Sequence, residues 1–177
     1  AVARLRAEGR ERIGLAISEG DDRRVDHNWY SRFFWYLEQC PRAQRIPPFG
    51  ARDWSFEGFA QWYRRYRPQA LLVVSGRPVD WLRALGTRAQ RQTLPVFLDW
   101  RPARAPYPGV DQQATEVGAA AVDLVIGQLH RNERGIPLSP KTVLIEGRWV
   151  PAATAGVSND QPPNSATSCT ISSLAPA

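Results

Sequence analysis

The sequence of 177 residues contains no methionine, two cysteines, two histidines and a single lysine, Lys141. Without Met the chain does not open on an initiator, so a processed start or a longer parent protein is expected. Cys40 and Cys169 lie far apart, with no partner at metal-ligand or redox spacing. A zinc site or a structural disulfide is therefore not expected, and a reducing, cytoplasmic compartment is. No run approaches the roughly 18 apolar residues of a membrane span, and the first residues do not form a signal peptide. Membrane partners are excluded on that ground. Also missing are G-x-x-x-x-G-K-[ST], G-x-G-x-x-G and G-x-S-x-G, so neither a phosphate loop nor a nucleophile elbow is encoded.

Positive charge is abundant, at a net +6, but it is carried almost wholly by dispersed arginines. A nucleic-acid surface combines clustered cations with exposed stacking rings. In "SFEGFAQWYRRYRP" the rings of Phe56, Phe59, Tyr63 and Tyr66 fall on one helical face, which reads as core. Charge alone does not make a DNA-binding domain. His130, near a helix C-terminus, reads as a favourable charge against the helix dipole. His27 reads as an N-terminal helix residue or a ligand contact. No nucleophile, base and orienting group can be assembled, so an enzyme has nothing to rest on, and no cofactor or metal site is predicted.

What is present is an alternation. "RIGLAIS", "ALLVVS" and "LPVFLDW" are apolar runs of buried-strand type, and "KTVLIEGRWV" reads as a closing strand. "RIPPFG" can be only a short strand because of its prolines. Helices are predicted at "AVARLRAEG", over residues 26–39, from an N-cap at Ser55 to Tyr66, and at "PVDWLRALG". The stretch "PGVDQQATEVGAAAVDLVIGQLHRNERG" reads as one further helix, with Val117, Ala121, Leu124, Val125 and Leu129 at helical spacing and Val122 and Ile126 widening the stripe. A helix this apolar is covered on most sides. Beyond Pro151 the chain is small, polar and proline-containing, and residues 151–177 are expected to be a disordered tail.

Strands alternating with helices predict an α/β fold with a parallel sheet. Such sheets bind ligands beyond the carboxyl ends of their strands. The groups there are Ser18, Glu19, Asp21 and Asp22, then Ser75, Gly76 and Arg77, then Asp99, Trp100 and Arg101. Asp99 closes an apolar strand and is either a turn cap or a ligand acceptor. Trp29 and Trp100 are either core rings or stacking platforms for a sugar.

In order, these pieces resemble the effector-binding region of the LacI/GalR family of bacterial transcription regulators. The resemblance rests on "RLRAEGRERIGLAI", "LPVFLDW", "PKTVLIEGRWV" and most specifically "PGVDQQATEVGAAAVDLVIGQL", and it spans residues 1–150. It implies a periplasmic-binding-protein-like architecture. Residues 1–110 would form the C-terminal effector-binding subdomain. Residues 111–135 would be a helix returning to an N-terminal subdomain upstream, and residues 136–150 the closing strand. That upstream subdomain would cover the apolar helix.

The resemblance further implies a small sugar-like effector in an inter-subdomain cleft, a homodimer when intact, and operator DNA bound only through a separate helix-turn-helix domain. Asp99 matches the family's hydroxyl-accepting aspartate, and Gln112 a polar residue at the hinge. Asp22, Asn28, Trp29, Arg77 and Trp100 are pocket candidates by position. Trp29 stands near a position where the family has an effector-contacting Arg, and "SGRP" replaces the usual Asn-Asp, so the pocket is remodelled. A periplasmic or transporter-associated sugar-binding protein of the same fold is the alternative, and an unrelated α/β enzyme the third reading.

Overall fold

The apolar strand residues sort onto two faces with a period of two, and that alternation builds the molecule. The computed structural model describes residues 1–50, 53–136 and 139–153. Strands β1 (Ile13–Ala16), β2 (Ala70–Val73), β3 (Leu94–Trp100), β4 (Gly109–Asp111) and β5 (Arg148–Val150) form one sheet in that order. The first four are parallel, and β5 runs antiparallel to β4 at the edge. The fold is α/β with a mostly parallel five-stranded sheet. Parallel strands are buried on both faces, which is why their sequences read as unbroken apolar runs.

Ile13, Leu15, Ala70, Leu72, Val96 and Leu98 point to one face. There they meet Leu5 of α1 (Val2–Ala7) and Tyr30, Phe33, Tyr36 and Leu37 of α3 (Asn28–Glu38). Ala16, Leu71, Val73 and Phe97 point to the other face. It is covered by α4 (Phe56–Tyr66), α5 (Arg77–Ala84) and α6 (Thr87–Gln92). The α4 face is aromatic: Phe59, fully buried, lies 5.8 Å from Trp62 and 5.3 Å from Trp81, centroid to centroid. Gly14 makes room for this packing, since a Cβ there would lie 2.8 Å from the Trp62 ring. Tyr63 closes the layer by donating to Thr93 Oγ1 at 3.0 Å, which itself donates to Pro68 O at 2.6 Å.

Local signals explain the element boundaries. Ser55 caps α4 by accepting from the Gly58 N–H at 3.1 Å, as its place before an apolar run predicts. Polar "EGDDR", which has no apolar period, is the helix α2 (Glu19–Arg23), capped by Ser18 through the Asp21 N–H. The predicted helix over residues 26–39 starts later, because Asp26 and His27 take left-handed backbone conformations. "RIPPFG" contributes only a single parallel bridge, Ala16 to Phe49.

Three expectations near the carboxyl side need correction. The long helix does not begin in the 108–112 region. Residues 109–111 are β4, held between β3 and β5, and α7 (Ala114–His130) starts only after Gln113 turns left-handed. The closing strand is three residues, not ten, because β4 offers only three partners; residues 141–147 lie outside it. Pro151–Ala153, assigned to the tail, are described, and the Ala153 N–H donates to Pro106 O at 3.0 Å. The rest of the expected disordered tail and Cys169 lie outside the described residues. Cys40 is buried and free.

Helix α7 is the exception to the packing. Of its 17 residues none is buried, and Val122, Val125 and Leu129 are 57%, 54% and 69% exposed. Among the described residues, nothing covers its apolar stripe. No described helix is long and apolar enough to cross a membrane.

Candidate functional site

The carboxyl ends of β1, β2 and β3 open onto a rim of polar side chains, and two neighbouring cavities occupy it. The smaller, of about 200 Å³, is lined by Asp21, Arg24, Trp29, Asp99, Arg101 and Gln112, with Val25 and Val74 as its apolar wall. The larger, of about 640 Å³, is an open cleft between the end of β3, the β4–α7 connection and Arg148. Asp99, Arg101 and Gln112 belong to both. Clefts of a few hundred Å³ with a few convergent polar groups are the usual form of small-molecule sites.

Asp99 owes its place to β3. The strand carries Val96, Phe97 and Leu98 through the core and delivers the carboxylate where the sheet ends. Its Oδ2 accepts from Arg101 Nη2 at 3.2 Å, while Oδ1 is buried without a hydrogen-bond partner. Burial holds the carboxyl above the usual carboxylate range, opposed by the positive charges of Arg104 and Arg101. A buried oxygen without a donor is costly and is normally paired in a native protein. The carboxylate as a whole lines both cavities, its side chain 22% exposed.

The surrounding groups are held firmly. Gln112 donates to Leu98 O at 2.9 Å, tying the chain leaving β4 to the end of β3. The Trp100 indole donates to Tyr107 O at 2.9 Å. Gly109 is required beside it, since a Cβ would lie 2.4 Å from Phe97 O and 2.7 Å from Trp100 Cβ. Arg148 reaches Asp111 Oδ2 at 3.3 Å, and Asp111 Oδ1 accepts from the Gln113 N–H at 2.9 Å. Arg104 lies over the Phe97 ring at 4.7 Å. Asp21 accepts from the Ser18 hydroxyl at 2.7 Å.

Of the residues proposed from sequence, Asp99, Gln112, Trp29 and Trp100 line these cavities. Asp22, Asn28 and Arg77 line neither. Asp22 is fully buried: Oδ1 accepts from the Tyr30 N–H at 3.1 Å and Oδ2 sits 3.0 Å from His27 Nδ1. It fastens the turn between α2 and α3 and is not presented to a ligand. Asn28 is exposed and donates to Val25 O at 2.6 Å. Arg77 is exposed at the start of α5.

Asp21 takes the position that spacing assigned to Asp22. Neighbouring residues on a helix point about 100° apart, so the choice depends on seeing α2 as a helix. Its signal was the pair Ser18 and Asp21, a cap followed three residues later by an acid. Arg24, Asp111 and Arg148 were not singled out. Among the described residues, no cluster of His, Cys, Asp and Glu is arranged to hold a metal ion. Comparison with known proteins brings no match: no family model, no curated protein and no solved structure matches the chain.

Proposed function

We propose that this chain is the ligand-sensing part of a bacterial transcription regulator of LacI/GalR type, a binding unit and not a catalyst. In this reading the periplasmic-binding-protein-like subdomain is formed by the five-stranded sheet. A small sugar-like effector sits in the cleft beyond β3, and DNA is bound by a domain outside the sequence. The observation that carries the reading is the Asp99 carboxylate, which lines both cavities at the strand end where parallel sheets meet their ligands. Support comes also from Gln112, which lines both cavities at the point where the chain leaves the sheet for α7.

Helix α7 fits the same reading. Its uncovered apolar stripe suits a second subdomain packed on it, with the cleft between the two. An effector bridging the cleft would change the angle between subdomains and so bias DNA affinity, a coupling usually of about 1–3 kcal/mol.

Thermal denaturation of the chain in the presence of neutral pentoses, hexoses and hexitols, aldonic and uronic acids, and sugar phosphates tests the reading. At least one class raises the melting temperature in a saturable way, and Asp99→Asn removes the rise while leaving the unliganded melting temperature nearly unchanged. If the rise survives in Asp99→Asn, the assignment of the site fails.

A further inference from the structure

The smaller cavity has two binding groups with unused capacity, and they differ in sign. The Asp99 carboxylate lines the cavity and accepts only from Arg101, so it keeps capacity for a further donor. The side chain of Arg24, exposed at the C-terminal end of α2, makes no hydrogen bond or ion pair among the described residues, and it lines the same 200 Å³ space. The other charged groups of the two cavities are engaged, except Glu116 at the larger one, whose carboxylate makes no hydrogen bond or ion pair among the described residues. Arg101 pairs with Asp99 Oδ2, Arg148 pairs with Asp111, and Asp21 is held by the Ser18 hydroxyl. What remains in the smaller cavity is one acceptor for a hydroxyl and one planar guanidinium with five donors. Arginine matches carboxylate and phosphate oxygens two at a time, which a neutral hydroxyl cannot equal. Trp29 and Val25 supply the apolar side against which a carbon skeleton can lie. A cavity of this size suits a single sugar unit, not an oligosaccharide.

We propose that the ligand is an acidic monosaccharide or polyol, with a hydroxyl on Asp99 and its carboxylate or phosphate on Arg24. The proposal rests on the ligand cleft described above. Carboxylate and phosphate share the chemistry Arg24 recognises, and matched ligands separate them.

The test is isothermal titration of the intact chain with matched sets: glucose, gluconate, glucuronate and glucose 6-phosphate, and the same derivatives of galactose, mannose and ribose. At least one acid binds about tenfold or more tighter than its neutral parent, the factor expected of one charge-assisted pair. That preference falls toward unity in Arg24→Gln, is partly kept in Arg24→Lys, and shrinks as salt is raised. A carboxylate bound in preference to a phosphate, or the reverse, identifies the source of the anion. If neutral and acidic members bind equally and Asp99→Asn weakens both, the acidic-ligand inference is overturned and the cleft reading stands. Acid preference that survives Arg24→Gln also overturns it. If no member binds, both are overturned.

Discussion

Helices α4 and α7 both carry apolar stripes wide enough to demand a partner, and only α4 has one. Phe59, Trp62 and Tyr63 of α4 are buried against the sheet, whereas α7 buries nothing along 17 residues. The same contrast holds for carboxylates. Asp22 is buried with both oxygens engaged, and Asp99 keeps an oxygen buried and unmatched. One region of the molecule is complete in itself, and the other, from the end of β3 through α7, presents groups without partners. In the proposed reading, incompleteness of this kind marks where something else binds. A small polar ligand suits the cleft, and an apolar surface suits the helix.

The largest expected effect sharpens the contrast between the helices. Phe59→Ala opens a cavity among Phe49, Trp62, Tyr63 and Trp81 and costs about 3–5 kcal/mol in urea denaturation. Leu129→Ala on α7 changes stability by no more than about 0.5 kcal/mol. Comparable losses would mean that α7 is packed in the chain as it stands.

The carboxylates give the next effect. Asp22→Ala strands the Tyr30 N–H and costs about 1–3 kcal/mol. Asp99→Ala costs little, and at the level of binding weakens the ligand roughly 10- to 100-fold, the loss of a hydrogen bond to a charged acceptor. A stability loss at Asp99 with unchanged binding would return it to the role of a turn cap.

A smaller effect is the pH dependence of that difference. The folded protein holds Asp99 above the ordinary carboxylate range, so folding favours its protonated form. Stability from this group is present at acid pH and declines as pH rises through the ordinary range to the raised value. The gap in stability between the native chain and Asp99→Asn therefore shifts toward Asn as pH rises through that window. Ligand affinity moves oppositely, strengthening as Asp99 ionises to accept a hydroxyl. Parallel pH series of denaturation and titration read both signs, and a gap that does not move with pH would show that Asp99 is solvated in solution.

Much of the complete region was legible in the sequence. The apolar runs of β1, β2 and β3 and the cap at Ser55 are local signals that packing reinforces. The short polar helix α2 was not, because its stability comes from the Ser18 cap and not from an apolar period, and missing it put Asp22 of the rim, not Asp21, among the pocket candidates. Strand β4 was merged into the following helix because Val110 fits either pattern, and only pairing with β3 and β5 decides it. The stripe on α7 was readable as a demand for cover, but periodicity does not say which surface provides it. Pocket membership was readable for Asp99, which a strand aims, and unreadable for Arg24, which a three-dimensional turn brings in.

The contrast between α4 and α7 is tested most directly by hydrogen exchange on the chain at a concentration where it is monomeric. A lone helix of about this length is marginal in water, and core elements exchange only through global opening. Amides of α4 are predicted to exchange at the rate set by global unfolding, and those of residues 117–130 in α7 orders of magnitude faster. Equal protection of the two helices in the monomer would contradict the account, because α7 would then be covered by the chain itself.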